Sequence, residues 1–315
     1  MVDLTSTVPK APVLVLGASG QVGRALARRL GDACVALTRR EADLAHPETL
    51  ADILASYGPA IIINAAAYTA VDRAEEEPEQ AHTINAIAPA EIAAYAFRHG
   101  IPFVHYSTDY VFPGKGTTAY QEDDATAPLN AYGKSKLAGE QAILAEAAKH
   151  QRAHYLIFRT CWVYDELGKN FLNTMLRLGR EKETLGVVSD QIGAPTYAGD
   201  IAEYTLKALA SAQKQPNFPS GIYHLCNQGE TSWHGFATAI FDSARRHNIP
   251  LSVNVVNPID SSAFPTLATR PENSRLSSAK LAQTFDLTLP TWQDALNRCI
   301  TAKQKQDAAF MEQIA

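Results

Sequence analysis

Five short apolar runs recur along the first half of the chain, at residues 12–16, 33–37, 60–64, 102–106 and 155–159. Each is dominated by aliphatic, β-branched or aromatic residues and gives way to small or polar ones. A nearly continuous apolar run of this length predicts a strand covered on both faces, the pattern of a parallel sheet. Between the runs, residues 21–30, 79–99 and 131–150 carry apolar positions at helical spacing. Strand and helix in alternation, joined by short connections, predict βαβ units and an α/β fold with a doubly wound parallel sheet.

Beyond residue 165 the pattern loosens. Helices are predicted over 170–180 and 200–210, a strand and turn over 187–196, and a late strand over 221–226. The remainder, interrupted by Pro265, Pro271 and Pro290, reads as short helices and loops. We therefore expect a dinucleotide-binding domain at 11–165, with parts of 185–226 returning to it. A smaller mixed substrate-binding lobe is expected from 166–184 and 227–315.

Composition narrows the function classes. The 315 residues are 46% hydrophobic and carry a net charge of −5. That suffices for a large core, and the absence of a basic block argues against nucleic acid as partner. The four cysteines, Cys34, Cys161, Cys226 and Cys299, lack zinc or redox spacing and read as small buried residues. The polar stretch 1–10 lacks an apolar signal core, and no run reaches the roughly 20 residues of a membrane span. The expectation is a cytoplasmic protein without a membrane partner.

Chemistry enters at the ends of the predicted strands. Gly17-Ala18-Ser19-Gly20-Gln21-Val22-Gly23 joins the first strand to the first helix. Gly17 and Gly20 let backbone approach a pyrophosphate, the helix N-terminus supplies N–H donors, and Gly23 permits close helix–strand packing. The second strand ends in Thr38-Arg39-Arg40, where a NAD-selective site usually has a carboxylate for the ribose 2′-hydroxyl. Two guanidiniums suit a 2′-phosphate, so NADPH is expected over NADH. Asp43 and Leu44 would line the adenine pocket. The acidic run Glu75-Glu76-Glu77-Pro78 reads as a solvated helix start rather than a metal site, and Asn85 as a residue that orients backbone at the sheet edge.

The fourth run leads into Ser107-Thr108-Asp109, a hydroxyl and carboxylate group at the ligand-binding end of a parallel strand. Tyr132 and Lys136 are four residues apart on a predicted helix and so share one face. A phenol beside an ammonium is an acid/base device, because the cation favours phenolate and lowers its pKa. Thr108 is the third candidate catalytic residue. Trp162 offers a flat surface after the fifth strand, suited to a sugar ring. Arg270 and Arg275 would hold an anionic part of the substrate.

These motifs, together with Asn64-Ala65-Ala66-Ala67-Tyr68-Thr69-Ala70-Val71-Asp72, Trp162-Val163-Tyr164, Asp190-Gln191 and Arg270-Pro271, resemble the extended short-chain dehydrogenase/reductases. The resemblance covers about residues 11–300 and is strongest to the branch that reduces dTDP-linked 4-keto sugars. It implies a Rossmann sheet and NADPH-dependent reduction of dTDP-4-dehydro-6-deoxy-L-mannose to dTDP-L-rhamnose. It also implies that Gln21, Val22, Ala67, Tyr68, Thr69 and Tyr106 line the cofactor, and that Thr108, Asp109 and Trp162 face the sugar. The family is further associated with magnesium at a dimer contact. The first helix carries no carboxylate, so a metal, if bound, is expected to be structural and outside the chemistry. A monomer or homodimer is expected. Rival readings are a nucleotide-sugar epimerase or dehydratase, or a non-catalytic regulatory subunit of the same fold.

Overall fold

In the computed structural model, residues 11–314 are described, with side chains through Gln306. The stretch 1–10, read above for a signal core, lies outside the described residues. The first half runs β1 (Val13–Leu16), α1 (Gln21–Leu30), β2 (Cys34–Leu37), α2 (Leu50–Tyr57), β3 (Ile61–Asn64), α3 (Val71–Glu76), α4 (Pro78–His82), a π turn (Thr83–Ile87), α5 (Ala88–Arg98), β4 (Phe103–Thr108), α6 (Ala131–Ala147) and β5 (Tyr155–Thr160). Then follow β6 (Val163–Tyr164), α7 (Phe171–Glu181), β7 (Thr184–Val188), β8 (Ile192–Gly193), β9 (Thr196–Tyr197), α8 (Ala198–Lys214), β10 (Gly221–His224), β11 (Thr231–Ser232), α9 (Trp233–Arg246), β12 (Val255–Ile259), β13 (Asn273–Ser274), α10 (Ala279–Phe285) and α11 (Trp292–Ile314).

The main sheet has the order β10-β5-β4-β3-β1-β2, and every pairing in it is parallel. Alternate residues of each strand serve opposite layers. Val13 and Val15 pack with Leu26 of α1, Ile201 of α8 and Leu281 of α10. Leu14 and Leu16 pack with Leu54 of α2, Ile92 of α5 and Ile143 of α6. Helices on both faces explain why these strands read as unbroken apolar runs. The order reverses between β1 and β3, the crevice in which such sheets bind ligands. A separate core built from Leu172, Leu176, Phe236, Ile240, Phe241, Trp292 and Ile300 holds the second half together.

Two expectations are corrected. The helix expected over 79–99 is interrupted by the π turn. Pro89 lacks an N–H, and its ring would collide with the carbonyl four residues back, that of Asn85; a wider turn relieves both. The acidic run does lead into a helix: Glu75 and Glu76 end α3, Glu77 is the N-cap of α4 and Pro78 its first residue, and Glu77 also accepts from the Tyr68 hydroxyl and pairs with Arg73 at 2.6 Å. The final third is not confined to short helices, since α9 has 14 residues and α11 has 23. Their prolines fall in connecting segments outside both helices, which is why long helices survive there. The four cysteines are free. No helix among the described residues is long and apolar enough to cross a membrane.

Candidate active site

The loops that leave the carboxyl ends of β1 to β5 converge on one pocket of about 660 Å³. Its floor is set by glycine. Gly17 has φ +78°, and a Cβ there would stand 2.5 Å from the Ala66 nitrogen. A Cβ on Gly23 would stand 2.2 Å from the Gly17 carbonyl oxygen. Only hydrogen fits at either position, so β1, α1 and the loop after β3 close tightly around the crevice. Gly20 precedes α1 in an extended conformation with no side-chain cap, and the first turn holds no acidic residue. The N-terminal N–H groups and dipole of α1 are therefore available to an anion.

Among the described residues, five cationic side chains line the pocket, Arg24, Arg39, Arg73, Lys136 and Lys169, against one carboxylate, Asp43. Arg24 and Arg73 are paired with Asp165 and Glu77. This balance and the glycine cradle fit a polyanionic dinucleotide.

The expected cofactor residues divide. Gly17, Gly20, Gln21, Val22, Arg39, Asp43, Leu44, Ala67, Tyr68, Thr69, Tyr106, Tyr132 and Lys136 all line this pocket. Gly23 packs beneath it. Thr38 and Arg40 do not line it. The Thr38 backbone N–H and hydroxyl both donate to Glu41, at 2.8 and 2.6 Å, and the Arg40 N–H donates to the Thr38 hydroxyl. A carboxylate thus returns to the end of β2 from three residues on, and of the two guanidiniums only Arg39 reaches the pocket wall. Arg39 itself lies 3.5 Å from Asp43. Spacing along one strand gave no sign of this local turn.

Asn130 caps α6 by accepting from the Gly133 N–H at 2.8 Å, which starts the helix where Tyr132 and Lys136 face the sheet. Lys136 is 2% exposed. Its Nζ donates to the Tyr106 carbonyl at 2.6 Å and lies 3.3 Å from His105 Nε2. Burial pushes the ammonium down to about 8, against the pull of Glu140. Glu140 is engaged by Arg159 through two bonds, at 2.9 and 2.7 Å. The expectation that Lys136 lowers the Tyr132 pKa is corrected by this placement. Burial raises the phenol above its ordinary value, the adjacent Thr108 hydroxyl opposes that rise, and Asp109 reinforces it. Tyr132 therefore holds its proton at neutral pH.

Thr108 and Asp109 are buried beside Tyr132, and Trp162 is half-buried after β5; none of the three is part of the pocket wall. The Thr108 hydroxyl donates to Asp109 at 3.0 Å. Burial pushes Asp109 up to about 6; Ser274 and Thr108 pull it down, yet Asp109 Oδ2 and Ser274 Oγ complete no well-aligned bond. Trp162 has φ 48° and stacks on Trp233 at 3.6 Å, so one indole face is occupied by protein. Asn85, in the π turn, accepts from the Tyr68 N–H at 2.9 Å and donates to the Tyr68 carbonyl and to Ser135. Arg270 pairs with Asp72, and Arg275 with Glu230. Among the described residues no group of three or more His, Cys, Asp or Glu is placed to hold a metal ion, so the magnesium expectation finds no ligand set here. Sequence reasoning missed Arg24, Arg73, Lys169, His105 and Trp233. Lys169 alone had a signal, a lone lysine beside Gly168 just after the fifth strand.

A doubly wound sheet with a glycine cradle at its switch point and a Tyr/Lys helix packed beside it defines a nicotinamide-dependent dehydrogenase/reductase of the extended short-chain class. The chain matches the sequence model of the RmlD substrate binding domain over residues 11–305, and it belongs to that family. It is 47% identical over 294 residues to dTDP-4-dehydrorhamnose reductase of Escherichia coli K12, covering 91% of this chain and 96% of that protein. It is 49% identical over 295 residues to the protein of the same name from Burkholderia thailandensis, covering 91% and 97%. The structure of dTDP-4-dehydrorhamnose reductase from Bacillus anthracis in complex with NADP superimposes with a TM-score of 0.85 at 36% identity, covering 93% of this chain and all of that one.

Proposed function

We infer that the protein reduces the 4-keto group of dTDP-4-dehydro-6-deoxy-L-mannose to give dTDP-L-rhamnose, with NADPH as reductant. The observation that carries this is the half-buried Tyr132, still protonated at neutral pH, with Thr108 against its hydroxyl and Lys136 one turn on, at the mouth of a dinucleotide cradle in a chain of this family. When bound, NADPH supplies the hydride. Everything else falls to the protein's own groups. The first turn of α1 and Lys169 take the pyrophosphate. Arg39 takes the 2′-phosphate.

Tyr132 Oη donates its proton to the oxygen that becomes the alcohol. An alkoxide is far more basic than any phenol, so a raised Tyr132 pKa is no obstacle in this direction and keeps the acid loaded. Lys136, when charged, steadies the phenolate left behind. In the free protein the Thr108 hydroxyl donates to Asp109; with substrate bound it turns that one proton to the carbonyl oxygen and holds it in line. Positioned proton transfer of this kind is typically worth about 10² to 10⁴ in rate.

We assign the cofactor to 11–165, with parts of 185–226 returning, and the sugar to 166–184 and 227–315. Support comes from β10, which extends the main sheet beside β5, and from the separate core of the second half. Residues 281–289 of the later segment also return, packing under the sheet through Leu281, Phe285 and Leu289. The test is NADPH oxidation followed with dTDP-4-dehydrorhamnose, its 4-keto precursor and the UDP analogues. We expect turnover with the first alone. Equal turnover with a UDP sugar would overturn the substrate assignment.

A further inference from the structure

Behind Tyr132 and Lys136 lies a row of three buried polar side chains whose donors and acceptors have one consistent direction. Asn64 and His105 are register partners on β3 and β4, each about 1% exposed. Asn64 Oδ1 accepts the Ala66 backbone N–H at 3.1 Å. That leaves the Asn64 amide nitrogen facing His105 Nδ1, at 3.2 Å. An amide nitrogen only donates, so Nδ1 is the acceptor and the imidazole proton sits on Nε2. Nε2 lies 3.3 Å from Lys136 Nζ. An ammonium has donors and no lone pair, whereas a neutral amine can accept one N–H. The bond from Nζ to the Tyr106 carbonyl, at 2.6 Å, can be made by either form.

We propose that Asn64 and His105 are positioning residues of the reductase: Asn64 locks His105 in its Nε2–H tautomer, and that N–H points at Lys136 and favours the neutral amine. The lysine is then charged only by a proton that arrives from the pocket side. Burial acts in the same sense, lowering Lys136 to about 8. His105 is itself kept neutral by burial and by the nearby lysine. The other ionisable groups facing this spot are few. Glu140, one turn on, is held by Arg159 of β5. Tyr132 lies one turn back, and Glu75 at the end of α3 accepts from the Ala131 N–H at the start of α6.

The kinetic consequence rests on the reductase reading; the tautomer does not. Nitrogen-15 spectra of histidine-labelled protein report which ring nitrogen carries the proton, and His105→Phe identifies the His105 signals among the nine histidines by their loss. We expect Nε2 protonated and Nδ1 bare. A proton on Nδ1 would overturn the chain whatever the turnover. The pH profile of kcat/KM supplies the second readout. His105→Phe keeps the ring volume and removes the donor, so the alkaline limb set by Lys136 moves up. With a rise of about one unit, the variant at pH 9 keeps about fivefold more of its neutral-pH kcat/KM than the native enzyme does. An unmoved limb, or one that moves down because an acceptor for the ammonium was lost, contradicts the proposal. Failure of NADPH turnover in the native enzyme would sink the reductase reading and leave the spectroscopic result standing.

Discussion

Lys136→Met is expected to abolish most activity and to stabilise the protein. The lysine is buried with its charged end in the core, and its pKa falls from 10.5 to about 8. A folded-state pKa below the unfolded one means that the unfolded chain binds more protons between pH 8 and 10.5. Stability therefore rises with pH across that window, and the full cost is present below pH 8. At about 1.36 kcal/mol per unit the cost is on the order of 3 kcal/mol. Methionine has a similar length and carries no charge. It forfeits the bond to the Tyr106 carbonyl, and a hydrogen bond to a charged group is worth about 1.5–3 kcal/mol. The net gain at pH 7 is then on the order of 1 kcal/mol, read as a rise of a few degrees in Tm. Thermal unfolding at pH 7 and at pH 10, on native and variant protein, measures this directly. Native stability should climb between the two, apart from other titrations that the variant shares, and the variant should lack that share of the climb. A variant with lower Tm at pH 7 and the same pH dependence as native would show that Lys136 is not a strained charge, and the account of its environment would fail.

Four further outcomes follow from the same geometry. Tyr132→Phe should lower kcat by at least about a hundredfold, the low end for positioned proton transfer, with NADPH affinity nearly unchanged by fluorescence titration. Gly23→Ala places a methyl 2.2 Å from the Gly17 carbonyl and should weaken NADPH binding at least about tenfold, about 1.4 kcal/mol, in the same titration. Glu140→Ala strips the partner from buried Arg159 and should cost about 3–5 kcal/mol in denaturant unfolding. Arg39→Ala should narrow the NADPH-over-NADH ratio of kcat/KM, whereas Arg40→Ala, away from the pocket wall, should leave it unchanged.

The parts that were legible in the sequence share a physical cause. Strands β1, β3, β4 and β5 are covered on both sides, so apolar residues dominate them up to their carboxyl ends, where small and polar ones follow. The glycine loop was legible because Gly17 and Gly23 exclude any side chain. The π turn was hidden, since Pro89 is tolerated in the first turn of an ordinary helix and only the carbonyl of Asn85 reveals the conflict. Glu41 was hidden because its turn back to Thr38 is made by two hydrogen bonds that leave no periodic trace. His105 passed for an ordinary strand residue. Its meaning comes from Asn64, 41 positions earlier, and Lys136, 31 positions later, which only the folded sheet and helix bring together. Trp162 was noticed as a flat surface, but nothing nearby in the chain announced that Trp233 would cover one side of it.

The central claim is a net hydride transfer to the sugar carbonyl with Tyr132 as the acid. Its most direct test uses NADPH deuterated at the transferred position with dTDP-4-dehydrorhamnose, and follows the product by NMR. The account predicts deuterium at C4 of the rhamnosyl product, one NADPH oxidised for each sugar reduced, and loss of that signal in Tyr132→Phe. Conversion of the sugar without consumption of NADPH, or full labelling by the Tyr132→Phe variant, would contradict it.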